Sequence, residues 1–197
     1  MTSPETSSFK PWTLFFGIKN LVFKTLGVTL IIVSLYTTYL YSISPALFIL
    51  LIALYLFGLV KYPHIWLIAL PACLPAFDFG TWTGNILYNE FDAFALSTIG
   101  FLFYKKNITT RHKYRYEFYF LTLLLFTLTN IAIGLNTGII ETDVMASDIH
   151  QHALNSLRVG KGFLFAWFIW YFMREALNNH SQQTQKWIAI GLLSSLS

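Results

Sequence analysis

The feature that most constrains this chain is the recurrence of apolar stretches, poor in charge, at close to bilayer length. The first, TLGVTLIIVSLYTTYLYSI, runs from Thr25 to Ile43 without a charge. A hydrocarbon core about 30 Å thick needs roughly 20 such residues as helix. Five more stretches follow, at about Pro45–Val60, Tyr62–Phe77, Phe91–Tyr104, Glu117–Leu135 and Leu157–Met173, and Trp187–Ser197 begins a seventh. Pro45 stands where a first helical position lacks a hydrogen-bonding partner for its N–H, so it opens a helix without loss. Pro71 and Pro75 remove donors inside the third stretch and are expected to kink or shorten it. The expectation is an all-α polytopic transmembrane bundle of about six full spans plus a partial C-terminal one. Residues 1–24 are expected to form a cytoplasmic segment, and 25–197 a transmembrane helical domain that is expected to be the front portion of a larger one.

Composition narrows the function classes. Only 11% of residues are charged and 55% are hydrophobic, against roughly a quarter charged in soluble domains. Cys73 is the sole cysteine, so no internal disulfide forms, and no Cys/His spacing resembles a zinc site; neither a metal nor a cofactor is expected. The +4 charge reports orientation rather than a nucleic-acid partner, because the cations are spread between apolar segments. With the N terminus inside, 11 of the 13 Lys and Arg residues fall on the cytoplasmic side, leaving Arg158 and Lys161 outside. Most acids, including Asp78, Glu90, Asp92, Glu141, Asp143 and Asp148, fall outside. The first stretch reads as an uncleaved signal anchor, since no small-residue cleavage site follows it. The seventh, as helix, rises about 16 Å, roughly half the hydrocarbon core. It is expected to insert partially or to belong to a longer membrane protein.

Three outer segments carry the residues that chemistry needs. Leu70–Phe94, LPACLPAFDFGTWTGNILYNEFDAF, concentrates prolines, glycines, aromatics and acids between two shortened helices. Irregular backbone survives at membrane depth only where protein or water satisfies it. Asp78, Trp82, Glu90 and Asp92 therefore outline an outer cavity for a polar substrate. The plainer reading has Trp82 and Tyr88 as interfacial anchors and Asp92 near a helix N terminus. In Asn136–Ser156, the spacing Asp148-x-His150-x-His152 offers an acid/base pair only if extended; on a helix the two histidines diverge by about 160°, and a solvated loop is the simpler account. In LRVGKGF, Leu157–Phe163, Arg158 and Lys161 share a helical face. They either snorkel to lipid head groups or pair with Asp148, or bind a diphosphate at a helix N terminus, with Gly160 and Gly162 permitting close approach. The basic loop Lys105–Glu117 is a topology determinant, and its Asn107-Ile108-Thr109 sequon faces the wrong side for glycosylation. Asn130, inside the fifth stretch, is expected to be buried and to hydrogen-bond across helices.

LPAFDFGTWTGNILYNEFDAFAL, followed by a basic inner loop, a long apolar span and ALNSLRVGKGFLFAWFIW, resembles the N-terminal part of bacterial O-antigen ligase or polymerase-like membrane proteins. The resemblance runs from about Trp66 to Phe172, with its specificity in the two loop-to-helix segments. It implies a multi-pass protein of the bacterial inner membrane that takes polyprenyl-diphosphate-linked glycans at the periplasmic face. It makes Arg158 and Lys161 diphosphate contacts. Such proteins have about ten or more spans and a large periplasmic loop with the arginine and histidine residues of transfer, which this chain lacks. No catalytic residue carries over, and the chain alone is not expected to be an active enzyme. The expected partners are membrane lipid, the lipid-linked glycan and other membrane helices or subunits. The alternatives are a non-catalytic membrane subunit or truncated remnant and, last, a transporter component with discontinuous helices.

Overall fold

The computed structural model describes residues 11–40, 44–73, 88–106, 117–137 and 153–196. Among these there are seven helices and no strand: α1 (Pro11–Tyr39), α2 (Pro45–Lys61), α3 (Trp66–Cys73), α4 (Glu90–Lys105), α5 (Glu117–Thr137), α6 (Ala153–Asn179) and α7 (Ser181–Ser194). The all-helical expectation holds. The expectation of six full spans is not shown by these helices. One described segment, Gly17–Tyr39, is long and apolar enough by itself to cross a bilayer, and Pro45–Lys61 and Leu121–Asn136 are apolar but shorter. Near the N terminus, such a segment suits a membrane span and a signal sequence alike.

The other expected spans differ for local reasons. Proline starts α1 and α2, the latter after Ser44 turns the chain at a φ of 44°. In place of Tyr62–Phe77, the described helix is the eight residues Trp66–Cys73, which include Pro71. The expected sixth span, Leu157–Met173, lies inside a 27-residue helix whose charges at Arg158, Lys161, Arg174 and Glu175 lower its hydropathy. No glycine or proline stops it after Met173, and it yields only at His180. The C-terminal helix accordingly begins at Ser181 rather than Trp187, and its 14 residues rise about 21 Å.

Helix α4 is the hub. Eleven of its 16 residues are buried, and with Phe48, Ile52 and Leu59 of α2, Trp66, Leu67 and Leu70 of α3 and Phe172 of α6 it forms one apolar cluster. The Phe103 ring meets those of Phe23, Phe168 and Phe172 at centroid distances of 5.4, 5.5 and 5.1 Å. Helix α1 runs antiparallel to α4, and they cross where Gly27 faces Gly100. A Cβ on Gly27 would lie 2.5 Å from the Gly100 oxygen and 2.6 Å from the Tyr104 nitrogen. Seven residues along, the Ser34 hydroxyl meets the Ala93 carbonyl at 2.9 Å and the Ser97 hydroxyl at 3.0 Å. Helix α7 lays Gly191 on the backbone of Leu67 and Ile68, and α6 lays Gly160 on the Ile131 side chain of α5. Small residues at backbone contacts, with serine hydroxyls bonding between helices, are how helices pack in lipid, where apolar burial drives nothing. The outward faces agree: large apolar side chains lie exposed along α1, α2 and α5, among them Leu21, Ile32, Leu47, Leu54, Leu125 and Phe126. Surfaces of monomeric soluble proteins rarely carry apolar patches beyond a few hundred Å².

Candidate functional site

Three of the polar residues singled out in the sequence, Glu90, Asp92 and Lys161, converge at the start of α4. Asn89 is its N-cap: the Asp92 N–H donates to the Asn89 side chain at 3.0 Å, and the Asn89 N–H donates to the Asp92 carboxylate at 2.8 Å. This reciprocal box satisfies two of the orphan donors that open every helix. The same Asp92 oxygen pairs with the Lys161 ammonium of α6. Glu90 and Asp92 lie in the first turn, where the helix dipole favours negative charge. Both are buried, Glu90 at 8% and Asp92 at 4% exposure. Tyr88 donates to the Ser34 carbonyl at 3.3 Å, joining α1 to the cluster. Burial pushes its phenol above the ordinary tyrosine range, hydrogen bonds from Thr37, Thr38 and Ser34 pull it back down, and the Asp92 charge adds to the rise.

Arg158 and Lys161 part ways. Lys161 turns toward α4 and is engaged with Asp92, whereas Arg158, one turn earlier, is exposed. Gly160 is occupied by α5, and Gly162 has open space where a Cβ would stand. Of the sequence-predicted residues, the structure brings together Glu90, Asp92 and Lys161 at one end of the α4/α6 pair, with Arg158 beside them on α6. Asp78, Trp82, Asp148, His150 and His152 lie outside the described residues. Among the described residues no group of three or more His, Cys, Asp and Glu side chains could hold a metal ion.

A second polar cluster, absent from the sequence reading, closes the other end. Lys106, just past α4, hydrogen-bonds the Tyr171 hydroxyl and lies 3.4 Å from the Glu175 carboxylate. Its ammonium also stands 4.0 Å from the Tyr171 ring centroid and 5.4 Å from that of Phe172, distances at which ring faces attract a cation. The signal was present: a lysine at a helix C terminus, and Tyr171 and Glu175 four apart on one face of α6. The two ion pairs, Asp92–Lys161 and Lys106–Glu175, are offset by 14 residues on both strands of chain, so α4 and α6 run parallel with charged clamps about 21 Å apart.

No known protein family, curated protein or solved structure matches the chain. Its chemistry therefore rests on these two clusters. The Asp92 end combines carboxylates held at a helix N terminus, a neutralised lysine and an exposed guanidinium. Of these, Arg158 is the group with the geometry to take an anionic ligand, since guanidinium binds phosphate oxygens through paired N–H donors.

Proposed function

We propose that this chain is a polytopic protein of the bacterial inner membrane, N terminus in the cytoplasm, and that it resembles in function the front part of a polysaccharide polymerase or ligase, with a polyprenyl-diphosphate-linked glycan as its ligand at the periplasmic face. The membrane part is supported by the exposed apolar faces, the glycine and serine packing, and a cation distribution that puts 11 of 13 on one side. The parallel course of α4 and α6 accords with a fourth and a sixth span crossing in the same direction. The diphosphate part is carried by one observation, the exposed Arg158 one turn from the Asp92–Lys161 pair. A lipid diphosphate at that interface would meet Arg158 directly, while Lys161 offsets the charge of Asp92. Glu90 and Asp92 are assigned to the cavity wall rather than to bond-making.

The test is binding of a fluorescent polyprenyl diphosphate to the full chain in lipid nanodiscs. Arg158→Ala is expected to weaken binding about tenfold or more, as loss of a charge-assisted contact does, and Arg158→Lys to restore part of it. Equal binding by wild type and Arg158→Ala would refute the ligand assignment. One observation favours a second reading, that of a non-catalytic membrane subunit: the engagement of Lys161 with Asp92 uses the second cation for helix packing. Under that reading neither Arg158 variant changes lipid-diphosphate binding, and Lys161→Met lowers stability alone.

A further inference from the structure

Sequence reading expected Asn130 to be buried and bonded across helices, yet it is exposed. Its Nδ2 donates to the Phe126 carbonyl of its own helix at 2.9 Å. That leaves one amide hydrogen, and among the described residues Oδ1 accepts from no donor. Helix α5 packs on α6 through Thr127, Ile131 and Gly134. Roughly 90° around the helix from that face, Tyr119, Leu123, Phe126, Asn130 and Ile133 follow one another at intervals of four, three, four and three residues. This is the spacing of a helix-pairing seam, and its four apolar members are exposed.

We infer that this face of α5 is the seam of a homodimer in the membrane, with Asn130 bonding to Asn130 of a second copy. The inference rests on the reading of α5 as a membrane span. Copies inserted in one membrane share an orientation, so their α5 helices meet parallel about an axis along the membrane normal. In a two-fold contact of that kind each residue faces its own equivalent. An amide both donates and accepts, so Asn130 satisfies Asn130, which lipid cannot do. A single asparagine in an otherwise apolar seam also fixes register and oligomer state. The committed occupant is therefore a second copy of this chain, selected by the self-complementarity of the amide in the middle of the seam.

The experiment is disulfide cross-linking of the full chain in native membranes, in a Cys73→Ser background. Single cysteines replace Phe126 or Ile133 on the seam, and Leu125 or Leu128, also exposed, off it. The expected result is oxidised dimer from Phe126→Cys and Ile133→Cys and little from the other two. Adding Asn130→Leu should weaken self-association about 3- to 30-fold, the range of interhelical hydrogen bonds in lipid, and Asn130→Gln, which keeps the amide, should retain it. Absence of dimer, equal cross-linking at all four positions, cross-links only to other proteins, or indifference to Asn130→Leu would each overturn the inference. Alkaline extraction of the same samples separates the two failures. A protein that stays in the membrane without dimer refutes the seam alone, whereas release by alkali refutes the spanning of α5 and the seam with it.

Discussion

Replacing Gly27 by alanine adds one methyl group at the tightest point of the α1/α4 crossing. The new Cβ would stand 2.5 Å from the Gly100 oxygen, 2.6 Å from the Tyr104 nitrogen and 3.0 Å from the Tyr104 Cα. Favourable contact begins near 3.5 Å, so the shortfall is about 1 Å. All three atoms are backbone, and no side-chain rotation relieves the clash. The helices must separate, which weakens the Ser34 bonds to Ala93 and Ser97 farther along the same seam. Overpacking of this kind costs typically 1–3 kcal/mol, and alanine recovers about 0.5–1 kcal/mol over glycine inside a helix. The net expectation is a loss of about 1–2 kcal/mol. Gly17 and Gly162 serve as controls, since a Cβ at either meets nothing within 4 Å. There the same substitution should leave stability unchanged or raise it by about 0.5–1 kcal/mol. Unfolding in bicelles with added denaturant, followed by tryptophan fluorescence, reads both signs. A Gly27→Ala protein as stable as wild type would refute the close crossing, and so would equal losses at all three glycines.

Further predictions concern the two clamps. Lys161→Met leaves the Asp92 carboxylate buried without its cation and should cost about 3 kcal/mol, whereas the Asp92→Asn/Lys161→Met double variant should lose less than the sum of its two single variants; additivity in the same unfolding assay would contradict a coupled pair. At the other end, Lys106→Ala should cost more than Glu175→Gln, because the Lys106 side chain is 9% exposed among aromatic rings and that of Glu175 is 32% exposed. For Glu175→Gln the expected loss is below about 1 kcal/mol, and the reverse order would assign the clamp to the ion pair rather than to the rings.

How far these features could be read from sequence depends on whether they are local or between helices. Helical class follows from uninterrupted apolar runs, and the start of α2 from Pro45. Asp92 stands near a helix N terminus as expected, since its capping box with Asn89 is set within four residues. The partner of Lys161 was not legible. Asp148 is nearer in sequence, but the register of α4 against α6 sets Asp92 beside it, and register depends on packing that periodicity does not encode. Gly160 read as room for an anion because glycine marks any close approach, and here the approach is that of Ile131. Asn130 read as buried because a polar residue amid leucines normally is. The lengths of α6 and α7 were misjudged because hydropathy ends at Met173 while helical backbone continues to Asn179. Lys106 escaped notice because its value as a topology signal already accounted for its charge.

Under the proposed function the chain threads a membrane several times with its N terminus inside, which would set the Asp92 and Lys106 clamps toward opposite surfaces. Thiol labelling tests it most directly, with the full chain in a Cys73→Ser background and single cysteines at Asp143 and Lys113. The account predicts that an impermeant maleimide labels Asp143→Cys in intact cells and labels Lys113→Cys only after the membrane is opened. Labelling of both in intact cells, of neither after permeabilisation, or in the opposite order would contradict it.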